Sequence, residues 1–103
     1  MLRFYARWQI NPKETFKTAE ERAKLMSLML VMVKGDIQAG LIKDFGSCVD
    51  GSGGYAILEV EREADLFNSL NKWAPHVNFD ARQVINVDQA IESNKKTASE
   101  TKT

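Results

Sequence analysis

The chain predicts an α+β fold in the order β-α-β-β-α-β, and three observations carry that expectation. Residues Leu2 to Ile10 alternate apolar and polar side chains, the period of a strand with one buried face. "GSGGYAILEVE", Gly51 to Glu61, sets a glycine-rich turn directly before another such alternation. Two longer stretches instead space their apolar residues by three and four, the period of a helix.

The elements follow in order. Leu2, Phe4, Ala6, Trp8 and Ile10 form one side of the first strand, with Arg3, Tyr5, Arg7 and Gln9 opposite. In "NPKE", Asn11 is suited to cap a helix, Pro12 to its first turn and Glu14 to a capping box. Phe16, Ala19, Ala23, Met26, Leu30 and Val33 continue as a helix seam that Gly35 is expected to end. Its second half, "LMSLMLVMV", is apolar nearly all round and is expected to be covered on more than one side. "GLIKDFGSCV" reads as the second strand and "YAILEVE" as the third. A second helix runs from about Arg62 to Trp73, with Leu66, Phe67, Leu70 and Trp73 on one face and Pro75 beyond it. "NFDARQVINV" supplies the fourth strand, with Phe79, Ala81, Ile85 and Val87 on the core side, and Asp88 caps a short final turn.

This order is that of the ferredoxin-like double split unit. It closes as one four-stranded antiparallel sheet, strand order 4-1-3-2, with both helices on one face. A single ferredoxin-like domain is expected over residues 1–92. "SNKKTASETKT", residues 93–103, has no large apolar residue and is expected to be a disordered polar tail.

Composition narrows the function classes. Fourteen basic residues balance fourteen acidic ones, so no global field attracts nucleic acid or an anionic membrane. "MLRFYARWQI" lacks the apolar core of a signal peptide, and no run reaches the roughly 18 apolar residues of a membrane span. The single cysteine, Cys48, has no internal disulfide partner. A cytoplasmic protein without membrane or nucleic-acid partners is the expectation.

The glycines Gly51, Gly53 and Gly54 admit three readings. A phosphate loop needs them at a strand-to-helix junction, whereas here they join two strands. An RNA recognition motif shares the element order, and Gly54-Tyr55-Ala56 matches part of its third-strand signature. The rest departs: Gly53 stands where a basic residue belongs, and Ile57 and Val60 where aromatics belong. Period two also sets Glu59 and Glu61 beside Tyr55 and Ile57, which opposes phosphate binding. A tight turn feeding a half-buried strand fits best.

"DGSGGYAILEVE", "LNKWAP" and "NFDARQVINVDQAI" resemble a family of small bacterial and archaeal proteins of unknown function that belongs with the dimeric α/β-barrel proteins. The resemblance covers roughly Gly40 to Glu92. Its marks are Asp50-Gly51, Gly54-Tyr55, Glu59, Trp73, Phe79 and Val87-Asp88. The wider superfamily, which includes muconolactone isomerases and cofactor-independent monooxygenases, is similar in architecture only. The resemblance implies a dimeric α/β barrel and carries over no catalytic residue.

Among chemistry-bearing residues, Cys48 and His76 are the only cysteine and histidine. In the expected sheet they lie at one end but on opposite edges, three strand steps of about 4.8 Å apart, too far for a thiolate–imidazole pair. No His/Cys spacing suggests zinc, no cofactor is implied, and Met26, Met29 and Met32 read as core filling. Trp8 and Trp73 fall at the end of the fold that holds His76. The three either line a cleft between sheet and helices, where the superfamily places its ligands, or the tryptophans simply fill the core.

The uncovered sheet face completes the reading. Tyr5, Arg7, Tyr55, Ile57, Glu59, Arg82 and Val84 give it an apolar centre with charges of both signs, which suits pairing with a second copy of the chain. The expectation is a homodimer binding a small, partly apolar molecule. Cofactor-free isomerase or oxygenase chemistry is left open, and a protein- or RNA-interaction module on the open face is the alternative.

Overall fold

The computed structural model describes the backbone of residues 1–101 and the side chains of residues 1–98. Seven elements follow one another: β1 (Leu2–Ile10), α1 (Ala19–Gln38), β2 (Ile42–Ser47), β3 (Gly53–Val60), α2 (Glu63–Asn71), β4 (Val77–Val84) and α3 (Val87–Thr101). The four strands form one antiparallel sheet in the order β2-β3-β1-β4, which counted from the other edge is 4-1-3-2.

The period-two alternation of β1 decides which residues the sheet buries. Phe4, Ala6 and Trp8 are buried, while Arg3, Tyr5, Arg7 and Gln9 are exposed. In register beside them, Phe4 faces Leu58 and Ala6 faces Ala56, which with Val60 extend the same buried face across β3. Val33 from α1 and Leu66 from α2 close over this face, so both helices lie on one side of the sheet. A second cluster of Trp8, Met29 and Val77 sits toward the far end of β1. Burying such a side chain contributes on the order of 1.5–3 kcal/mol, and these few contacts hold the helices in place.

The hairpin between β2 and β3 shows what its glycines do. Asp50 Oδ1 accepts from the Ser52 backbone N–H at 2.9 Å and from the Ser52 hydroxyl at 2.7 Å. This Asx turn carries Gly51 at φ 74°, in the left-handed region that a side chain disfavours. A bulge follows in β2: Ile42 pairs with Leu58 but Asp44 with Ile57, leaving Lys43 as the extra residue.

Several boundaries differ from the sequence expectation. Helix α1 starts at Ala19, not near Pro12, because Thr18 caps it: its hydroxyl accepts from Glu21 N at 3.1 Å, while the Glu21 carboxylate accepts from Lys17 N at 3.0 Å. Asn11 is used elsewhere, donating from its side-chain amide to Pro75 O at 2.8 Å and from its backbone N–H to His76 O at 2.8 Å. Gly35 lies inside the helix, which ends before Gly40 at φ 83°. The apolar second half of α1 is covered on one side only, leaving Leu28 and Val31 58% and 70% exposed.

The C-terminal part departs most. Strand β4 ends at Val84, so Ile85 and Val87, expected on the core side, are exposed. The expected short turn and disordered tail from Ser93 are replaced by α3. Its cap is Asn86, not Asp88: Asn86 Oδ1 accepts from Gln89 N at 2.8 Å, and Gln89 Oε1 accepts from Asn86 N at 3.0 Å. Such a reciprocal capping box satisfies two helix-start donors without any buried apolar side chain. Lys102 and Thr103, the last residues of the expected tail, lie outside the described residues.

Candidate functional site

Two features of the fold are candidates for a functional site, one on each face of the sheet. Between the sheet and the helices lies a cleft of about 40 Å³. It is enclosed by Trp8, Phe45 and Phe79 from the sheet, Met26 and Met29 from α1, and Trp73 just beyond α2. The placement follows from strand pairing. Trp8 stands opposite Gly54 on one side and Phe79 on the other, and Phe45 on β2 stacks on its indole at a centroid distance of 5.6 Å and an angle of 10°.

Gly54 makes room for this stack. A Cβ built there would stand 2.8 Å from Trp8 Cζ2 and would overlap the Gly46 carbonyl oxygen, so only a hydrogen fits between the indole and the β2 backbone. A Cβ at Gly53 would stand 2.6 Å from the Trp8 carbonyl oxygen. The glycines of "GSGG" therefore serve the turn and the seating of Trp8.

The lining of the cleft is mainly apolar. Trp8 is 5% exposed, and its Nε1–H is buried without a hydrogen-bond partner among the described residues. An unpaired buried donor costs about 1–3 kcal/mol, and a paired one is the rule in folded proteins. Among the cleft-lining residues described, Asp36 alone is ionisable; Ser69 is the other polar side chain besides the two indoles.

The structure brings Trp8 and Trp73 to one cleft and leaves His76 outside its lining. The His76 side chain is 45% exposed and its Nδ1 meets the Glu14 carboxylate, so that the β1–α1 loop is tied to the start of β4. Cys48 is exposed on the hairpin, its backbone N–H donating to Gly53 O at 2.7 Å. Phe45, Asp36 and Ser69 were not singled out from the sequence. Phe45 follows from the alternation of β2 once the bulge is known, but nothing in the local pattern marks Asp36 or Ser69.

On the opposite face, no helix among the described residues packs on the sheet. Tyr5 and Tyr55 stack there at 6.4 Å with an interplanar angle of 11°. The β2 bulge turns both Lys43 and Asp44 to this face, where each finds a partner. Tyr55 leans over Gly46 and donates its hydroxyl to Asp44 Oδ2 at 2.9 Å. That hydrogen bond, with some desolvation, holds the phenol above its usual value near 10. Glu59 pairs with Arg3 at 3.0 Å and Lys43 at 3.7 Å. Arg82 faces Asp80 within its own strand at 3.7 Å. Ile57 and Val84 are half-buried, while Arg7 has no ion-pair partner among the described residues.

No group of three or more His, Cys, Asp or Glu that could hold a metal ion occurs among the described residues. Among them, too, no helix is long and apolar enough to cross a membrane. A family model described as a domain of unknown function (DUF3303) matches residues 2–98. No curated protein matches the chain.

Proposed function

The chain belongs to the family of the domain of unknown function DUF3303, and on the geometry of its cleft we propose that it binds a small, mainly apolar molecule carrying one hydrogen-bond acceptor. The unpartnered Trp8 Nε1–H carries this reading. An oxygen of the ligand, such as a ketone carbonyl, accepts from it, while Phe45, Phe79, Trp73 and the methionines surround the apolar remainder. A single water needs roughly 10–15 Å³, so the cleft of about 40 Å³ holds only a very small molecule as it stands. Larger ones enter as Met26 and Met29, unbranched and flexible, change rotamer. Binding is favoured over acid–base chemistry because the described lining offers a carboxylate at Asp36 and no second ionisable group.

The test compares cyclohexanone with chlorocyclohexane, which matches its size but presents only a weak acceptor. In calorimetric titrations, Trp8→Phe is expected to weaken the ketone about two- to tenfold, the net worth of one hydrogen bond, and to leave the chloride unchanged. Equal losses for both ligands would refute the role of the indole.

The open sheet face supports a second element of the proposal, a ferredoxin-like protomer pairing with its own copy as a dimeric α/β barrel. The supporting observation is the Tyr5–Tyr55 stack beside half-buried Ile57 and Val84, on a face over which no helix packs among the described residues. Glu59 and Asp44 already have partners within the sheet, so apposing two such faces leaves few unpaired charges at the centre. The same carboxylates disfavour an RNA platform.

A further inference from the structure

We infer that the cleft selects uncharged ligands, and that the Asp36–Lys72 ion pair is the element that enforces the selection. This rests on the reading of the cleft as a binding site. Asp36 projects from the last turns of α1 and lines the cleft. Lys72, the C-cap residue just after α2, places Nζ 2.6 Å from Asp36 Oδ2 and 5.5 Å from the centroid of the Trp73 ring. The pair therefore joins the two helices across the rim, directly over one of the aromatic walls. With side chains 18% and 31% exposed, the two charges sit where apolar cleft gives way to solvent.

The selectivity follows from charge accounting. Asp36 is the one ionisable side chain among the described residues of the lining, and it is already neutralised. A ligand carboxylate entering the cleft meets no cation there unless it draws Lys72 away and strands Asp36. A ligand ammonium meets the carboxylate only by expelling Lys72 from both Asp36 and the Trp73 ring. The first course strands the half-buried Asp36, and the second gives up the Lys72 contacts with Asp36 and the Trp73 ring for a single new one, so neither ion gains a net pair to offset its own desolvation. A neutral molecule disturbs no charge, because on this reading its oxygen accepts from the buried Trp8 Nε1–H and the rim stays paired.

Cyclohexanone, cyclohexanecarboxylate and cyclohexylammonium share a ring and differ in charge. Their binding is followed through the Trp8 indole Nε1–H resonance, which reports occupancy of the cleft itself. In the native protein the ketone is expected to bind at least tenfold more tightly than either ion. Lys72→Met, which unpairs Asp36, is expected to raise the relative affinity of the ammonium at least tenfold. Asp36→Asn is expected to do the same for the carboxylate. Lys72→Arg, and the exchange Asp36→Lys with Lys72→Asp, keep or restore the preference for the ketone and guard against general loosening of the fold. Equal binding of all three ligands to the native protein, or selectivity unmoved by the single substitutions, would overturn the inference while leaving the cleft as a site. Silence of the Trp8 resonance toward every ligand in every form would overturn the cleft reading, and this inference with it.

Discussion

Adding one methyl group at Gly54 is expected to be among the most damaging small changes this chain can suffer. A Cβ there would overlap the Gly46 carbonyl oxygen and stand 2.8 Å from Trp8 Cζ2, against the 3.4–4 Å of ordinary contact. The carbonyl is backbone on the neighbouring strand and has no rotamer to escape into. Relief requires β2 to separate from β3 where Ser47 pairs with Gly54, or the Trp8–Phe45 stack to break. Overpacking costs typically 1–3 kcal/mol, and a clash with backbone belongs at the top of that range. About 3 kcal/mol lowers the melting temperature of a chain this size by more than about 10 °C. Gly35→Ala is the matched control. Nothing lies within 4 Å of a Cβ there, and the site is inside α1, so the same methyl group is expected to stabilise by about 0.5–1 kcal/mol. Gly46→Ala falls between, since the three atoms nearest its Cβ all belong to the Tyr55 ring, which can rotate away and give up its bond to Asp44. Thermal unfolding followed by circular dichroism ranks the three. If Gly54→Ala melts within 2–3 °C of the native protein, roughly the spread of a neutral surface change, the account of the glycine turn is wrong.

Two other outcomes are expected. In a Tyr5→Phe background, Tyr55 titrates above its ordinary value of 10.0 because Asp44 accepts its proton-bearing hydroxyl. The stabilisation is present below that value and lost as pH rises through the raised one, and Asp44→Asn brings the absorbance midpoint back down. An unchanged midpoint in Asp44→Asn would remove the hydrogen bond from consideration. Light scattering is expected to show a species near twice 11.6 kDa, weakened by Tyr55→Asp or Ile57→Asp; a monomer at high micromolar concentration would sink the dimer.

Local pattern was enough for much of the architecture. The alternation of β1 and β3 is a property of neighbouring residues, because a half-buried strand must repeat apolar side chains at its own period. The helix seams were only partly legible, since Leu30 on α1 and Phe67 on α2, expected on the packed faces, are 46% and 68% exposed. That alternation also placed Trp8 on the helix-facing side, and the topology then brought Trp73 near it. The failures lie where two local signals competed. Asn11-Pro12 offered an acceptable cap, and only the packing of the loop against Pro75 and His76 decided that Thr18 would serve instead. The polar C-terminal segment lacked an apolar face, yet the Asn86–Gln89 box starts a helix there without one.

The candidate site was less legible, for a physical reason. A strand face is decided within a few residues, but a cleft is decided by which side chains meet from distant parts of the chain. Asp36 and Lys72 are 36 residues apart and look like ordinary surface charges until α1 and α2 are laid side by side. The pairing of His76 with Glu14 likewise depends on a loop conformation that no periodicity encodes. Trp8 was visible as a buried indole, whereas the absence of any partner for its N–H exists only once every neighbour has been placed. The sequence by itself determined the four strands and the two helices between them, the faces of the sheet and the need for glycine in the hairpin, but not α3. Tertiary structure alone decided which charges pair, which donor is left unmatched and where the cleft opens, because each of these depends on contacts between residues that the chain keeps far apart.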